Sequence, residues 1–196
     1  MNALSQIWPV LALFLVLGWY LSYSASRLDW LHHKVTSTRA ALDVQLVRRS
    51  AAAVETSRYL DPATALLVTD AAARALSAGE RDQVARAERD PLDVPPYLEP
   101  AENDLSRALQ VAFPEPIKAA FLEPYEQENP FAADALEVLT QACIRVQLAR
   151  RFHNDAVAQA QRVRRKRVVR WAHLAGRAPV PQMVEIDDTL PAGLTR

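Results

Sequence analysis

The stretch Ile7-Trp8-Pro9-Val10-Leu11-Ala12-Leu13-Phe14-Leu15-Val16-Leu17-Gly18-Trp19-Tyr20-Leu21-Ser22-Tyr23 runs, with no Gly-Pro break, into the helical pattern of residues 26–49. Leu4 to Tyr23 contains no Asp, Glu, Lys or Arg. At about 20 residues and roughly 30 Å as a helix, the segment is long enough to cross a hydrocarbon core. Trp8 lies toward one edge and Trp19, Tyr20 and Tyr23 at the other, where amphipathic rings favour the headgroup level. The reading is one helix with two tasks: a transmembrane segment over 4–23, and then the founding helix of a bundle over 24–175.

Two other readings compete for the same residues. A cleaved signal peptide could use Ser24-Ala25-Ser26 as its cleavage site, but Met1–Pro9 lacks the basic n-region it needs. A buried core helix is the other. Nothing basic precedes the apolar run, whereas Arg27, Lys34, Arg39, Arg48 and Arg49 follow it. That asymmetry places the body in the cytoplasm and the N-terminus outside the cell membrane.

The remainder, about 170 residues, is one domain by the usual prior. With 4 Gly and half of the residues hydrophobic, the chain favours helices over sheets. A lone cysteine, Cys143, excludes an internal disulfide and suits a reducing compartment. It falls in an apolar helix face and reads as a small buried hydrophobe. The formal net charge of zero hides segregation. Residues 24–60 carry +3 (6 basic, 3 acidic) and 61–135 carry −9 (6 basic, 15 acidic). Residues 136–181 carry +8 (10 basic, 2 acidic) and 182–196 carry −2 (1 basic, 3 acidic). An acidic middle between two basic helices is electrostatically self-complementary.

Along the chain, Leu28, Leu31, Val35, Thr38, Leu42, Gln45 and Arg49 recur at spacings of three and four, a coiled-coil-like seam that Leu46 and Ala53 can share. The spacing predicts a helix to Tyr59, stopped by Asp61-Pro62. A second helix is expected over Thr64–Ala78, ending at Gly79, with a polar helical piece over 80–89. Residues 90–100 and 113–130 are Pro-rich loops flanking a short helix over Ala101–Ala112. The last long helix is predicted over Phe131–Leu174. Its stripe is Leu136, Leu139, Cys143, Val146, Ala149, Phe152, Ala156, Ala160 and Val163. Residues 176–196 form an acidic, Pro-bounded tail expected to be extended or disordered. The fold class is all-α: an antiparallel three- or four-helix bundle with two long helices.

Two stretches carry a resemblance. Leu42-Asp43-Val44-Gln45-Leu46-Val47-Arg48-Arg49 and Ala149-Arg150-Arg151-Phe152-His153-Asn154-Asp155-Ala156-Val157 resemble the LemA family of membrane-anchored helical proteins. The order, separation and N-terminal anchor also agree, and the match covers both long helices. The chain departs from that pattern at Ser50–Ala53, in the Pro-rich middle and in the tail, as a divergent member would. The resemblance implies a cytoplasmic-facing bundle on one transmembrane helix, with no agreed catalytic activity and no active site to transfer.

Read by themselves, Asp43, Gln45, Arg150, Arg151, Asn154 and Asp155 suggest an interhelical polar network. In it a carboxylate meeting an Arg fork fixes helix register. A ligand- or partner-facing cluster is the second reading. The sharpest local feature is Arg162-Val163-Arg164-Arg165-Lys166-Arg167-Val168-Val169-Arg170-Trp171. Its cations, with Trp171, can lie on the acidic middle of the chain, on anionic lipid headgroups, or on nucleic acid or a protein partner. An even helix count brings this end back to the membrane; an odd count points it away. No phosphate-cradling glycine loop or nucleophile elbow is present. His32 and His33 are adjacent on a helix and point about 100° apart, poor co-ligands for one metal. His153 and His173 are isolated in the sequence, and the tail carboxylates are poorly placed for a cation. The expectation is a membrane-anchored scaffold or adaptor, not an enzyme, with no cofactor or metal. Its partners would be the bilayer and an unknown protein. The alternative is a membrane-tethered nucleic-acid- or protein-binding module using 162–171, with a hydrolase a distant third.

Overall fold

Asp61 decides where the chain first reverses. Its Oδ1 accepts from the backbone N–H groups of Ala63 (3.1 Å) and Thr64 (3.2 Å), capping a helix whose first residue is Pro62, where a missing N–H costs nothing. The computed structural model describes residues 3–88, 97–114, 130–171 and 179–195. In it Ala3–Ser57 is one helix (α1), followed by Pro62–Glu88 (α2), Leu98–Ala112 (α3), Pro130–Arg164 (α4) and Arg167–Trp171 (α5). Ala192–Leu194 makes one 3₁₀ turn. The described residues contain no strand.

Side-chain pairs give the directions. Ser57 meets Thr69, and Arg39 meets Asp82, so α2 runs antiparallel to α1. Thr56 meets Ala135, Thr38 meets His153 and Lys34 meets Gln159, so α4 does too. Arg49 of α1 reaches Glu102 and Ser106 of α3. The four helices go up, down, up and down, so the end of α4 lies beside the stretch of α1 just past the apolar run.

The seam of α1 is buried at Leu28, Leu31, Val35, Leu42 and Leu46, as is Ala53 further along. Leu28, Leu31 and Val35 pack on Ala156, Val157, Ala160, Val163 and Val169. At the far end Ala53, Val68, Ala72, Leu105, Leu109 and Leu139 share one core. The first part of α1 stands outside this packing. Trp8, Leu13, Phe14, Leu15, Val16 and Trp19 are exposed, and α1 is long and apolar enough to cross a membrane.

Several boundaries differ from the pattern-based ones. Helix α1 stops at Ser57 rather than Tyr59, where 3₁₀-type bonds from Tyr59 and Leu60 to Thr56 and Ser57 close the turn. Gly79 does not end α2. The helix passes through it because Asp82 and Arg86, one and two turns beyond, are tied to Arg39 and Asp43 of α1, which outweighs the roughly 1 kcal/mol cost of an interior glycine. Helix α3 begins three residues earlier than expected, at Leu98. The last long helix breaks at Arg165-Lys166, where consecutive cations repel across one turn. The loop residues expected within 90–100 and 113–130 lie mostly outside the described residues.

The tail is the largest correction. Residues 179–195 are not disordered but lie extended in the furrow between α3 and α4. Val184 and Ile186 complete a core cluster with Leu42, Leu46 and Val146, and Leu194 is buried in the cluster at the far end. The extended backbone has no strand to pair with, so side chains take that role. Asn154 both donates to Val184 O and accepts from Val184 N, each at 3.0 Å. Gln161 donates to Pro181 O (2.8 Å) and Gln147 to Asp188 O (2.6 Å). Glu99 and Asn103 accept from the N–H groups of Glu185 and Asp187. Gly193 passes so close to Phe113 that a Cβ there would sit 2.7 Å from the Phe113 carbonyl oxygen.

Candidate functional site

The basic end is positioned by its two buried valines. Val163 and Val169 pack against Leu28 and Leu31 of α1. This fixes the turn at 165–166 about 8 Å, at 1.5 Å per residue, beyond the end of the apolar run at Tyr23. Arg164 turns inward: its Nη1 donates to Pro179 O at 2.6 Å and lies 3.4 Å from His32 Nε2. Arg162 Nε donates to Ala158 O, one turn back in its own helix, at 3.2 Å. Arg165, Lys166, Arg167 and Arg170 are exposed, and Trp171 is 77% exposed. Of the seven residues singled out in this stretch, five therefore form one outward patch, and Arg162 and Arg164 are partly committed to the protein.

The expected polar network separates into two. Asp43 does not meet Arg150 or Arg151. It pairs with Arg39 (3.2 Å) and with Arg86 of α2 (2.6 Å), and Asp82 binds the same two arginines at 2.9 and 2.7 Å. Burial raises the Asp43 carboxyl above its ordinary range, although both arginines pull the other way. Arg150 instead grips Asp188 of the tail with two parallel bonds, Nε at 2.7 Å and Nη2 at 2.9 Å, a bidentate fork. Asn154 holds the tail backbone. Gln45 and Asp155 line a groove between α1 and α4, and Arg151 is exposed. The physical reason is the wheel: one residue of displacement around α4 turns Arg150 toward the tail rather than toward α1.

A second buried pair escaped sequence reasoning. Arg49 Nη2 donates to Glu102 Oε2 at 2.6 Å and to Glu102 O at 3.2 Å, and Nη1 donates to Ser106 Oγ at 3.1 Å. Burial pushes the Glu102 carboxyl upward against the pull of Arg49. Glu102 opens no recognisable motif; the only available signal was its i, i+4 relation to Ser106 on the same face as Leu105 and Leu109.

His153, and not Phe152, faces inward from α4; it is buried while Phe152 is exposed. Its Nδ1 lies 3.4 Å from Thr38 Oγ1. Burial and the nearby Arg39 charge lower its pKa from 6.5 to about 4. The unfolded chain takes up a proton here near pH 6.5 and the folded chain only near pH 4, so acid favours unfolding across that window. The stabilising contribution is fully present above 6.5, and about 3 kcal/mol of it is lost by pH 4. A His153→Gln variant should show a flatter decline of unfolding midpoint from pH 6.5 to 4 than the parent, a difference that isolates this group from the neighbouring carboxyls. An unchanged slope would show that His153 is accessible to solvent.

Among the described residues, no three His, Cys, Asp or Glu side chains are gathered to hold a metal ion. Cys143 is buried and its thiol pKa is raised by burial, which disfavours the reactive thiolate. Comparison with protein-family models, with curated proteins and with solved structures finds no match to this chain.

Proposed function

We propose that the protein is a membrane-anchored helical scaffold or adaptor of LemA-like type. In this reading α1 spans the cell membrane with the N-terminus outside, the bundle stands in the cytoplasm, and the basic end rests on anionic headgroups. The observation that carries the reading is the return of α4: the exposed cations of 165–170 and Trp171 sit beside Leu28 and Leu31, where α1 leaves its apolar run. Near an anionic surface each cation contributes roughly 1 kcal/mol, and an exposed Trp suits the interface. Neither buried ion-pair set is open to a substrate, in keeping with a structural role.

The test uses the full chain in nanodiscs with Trp171 as its only tryptophan (Trp8, Trp19 and Trp30 changed to Phe) and brominated lipids as quenchers. Trp171 is expected to be quenched in anionic discs and not in neutral ones. Changing Arg165, Lys166 and Arg167 to Gln should weaken that contact about a hundredfold. Equal, weak quenching in both lipids would sink the lipid role, and strongly salt-dependent binding of duplex DNA by the same patch would put nucleic acid in its place.

A further inference from the structure

A groove of about 580 Å³ runs between α1 and α4. It is lined by Lys34, Ala41 and Arg48 at intervals of seven along α1, and by Arg145, Leu148, Phe152 and Asp155 at intervals of three and four along α4. These positions form a second stripe beside the buried one. Phe152 is 61% exposed and Leu148 46%, so two large apolar side chains face outward in register. Among the described residues Arg48 and Arg145 make no ion pair. The tail fills the furrow between α3 and α4; no described residue fills this one.

Size, charge and position narrow the occupant. From Lys34 to Arg48 is about 21 Å, four turns of helix, and a channel between two antiparallel helices is the natural seat for a third. Three cations against one carboxylate give the groove a positive balance, so two copies of this chain meeting groove to groove would oppose like charges. Lipid is excluded by distance. The groove starts about 17 Å beyond Tyr23 and extends to nearly 40 Å, whereas the headgroup layer is only about 5–8 Å thick.

We propose that this groove docks an acidic amphipathic helix of a partner protein, about four turns long. Its apolar stripe would cover Leu148 and Phe152 and its carboxylates would meet Arg48 and Arg145, a helix-in-groove mode. The proposal supplies a partner surface for the scaffold reading but does not depend on lipid contact at 162–171.

The experiment measures fluorescence anisotropy with the full chain in nanodiscs. The probe is a synthetic helical peptide of about 16 residues with Leu at positions i, i+3 or i+4 and i+7 and Glu on the flanks. Its companions carry Lys in place of Glu, or a central Pro that breaks the helix. The Glu peptide is expected to bind at least about tenfold more tightly than either companion. Arg48→Glu with Arg145→Glu should weaken it about 30-fold and Phe152→Ala about tenfold, all at exposed positions. Arg165→Gln with Arg167→Gln should leave it unchanged, which separates this groove from the lipid-facing end. Absence of binding, equal binding of the Lys peptide, or indifference to Arg48 and Arg145 would overturn the proposal. So would self-association of the chain that Phe152→Ala abolishes.

Discussion

Replacing Glu102 with Ala should lower the unfolding free energy by about 3–5 kcal/mol. Both side chains of the Arg49–Glu102 pair are almost wholly inaccessible, at 3% and 2%, so solvent does not screen the pair. Removing the carboxylate leaves a guanidinium buried with only the Ser106 hydroxyl and the Glu102 carbonyl as partners. Removing both charges is different, because the desolvation cost of the pair goes with them. Arg49→Met with Glu102→Leu should therefore return to within about 1 kcal/mol of the parent or exceed it. Guanidinium unfolding of the full chain in nanodiscs, followed by circular dichroism, measures both. A loss below about 1 kcal/mol for Glu102→Ala would show that water reaches the pair.

Leu194→Ala should cost about 2–5 kcal/mol, as much as Leu139→Ala in the middle of α4. Both leucines are 0% exposed and belong to the same core cluster. Equality of the two effects is the informative result, since one residue sits mid-helix and the other near the end of an acidic tail. A change within about 0.5 kcal/mol for Leu194→Ala, as for an ordinary surface substitution, would mean that the tail is detached from the bundle in solution.

Periodicity made much of the fold legible. Leu28, Leu31, Val35 and Leu42 of the seam, with Thr38 only half-buried, and the stripe from Leu136 to Val146 lie where spacing placed them, because α1 and α4 each face one long partner and the apolar spacing follows. Spacing failed where charge does the packing. Arg49 lies on the predicted seam and is buried there, but Arg39, Asp82 and Glu102 are buried as well, and sequence alone does not say which solvated-looking charges will find partners on another helix. Phe152 was misplaced onto the stripe because it is apolar, although the next residue, His153, holds the buried position. The tail was misread through composition. Its acids and prolines suggested solvation, while Val184-Glu185-Ile186-Asp187 alternates with period two, the pattern of an extended segment with one face covered. Of the basic end, Val163 and the run of cations were legible; the burial of Val169 and the break at 165–166 were not.

The buried tail also ties the protein to the direction of its own synthesis. Leu42, Leu46 and Val146 leave the ribosome long before Val184 and Ile186, and the core around Phe113 waits for Leu194. A nascent chain can pair α1 with α2 early, but it cannot close the furrow between α3 and α4 until residues 184–194 have emerged. A message cut short by a premature stop codon before residue 184 would yield a bundle with that apolar furrow open, the kind of surface that chaperones and proteases recognise. Closure of the core is thus tied to the emergence of Val184, Ile186 and Leu194, residues that follow every long helix of the bundle.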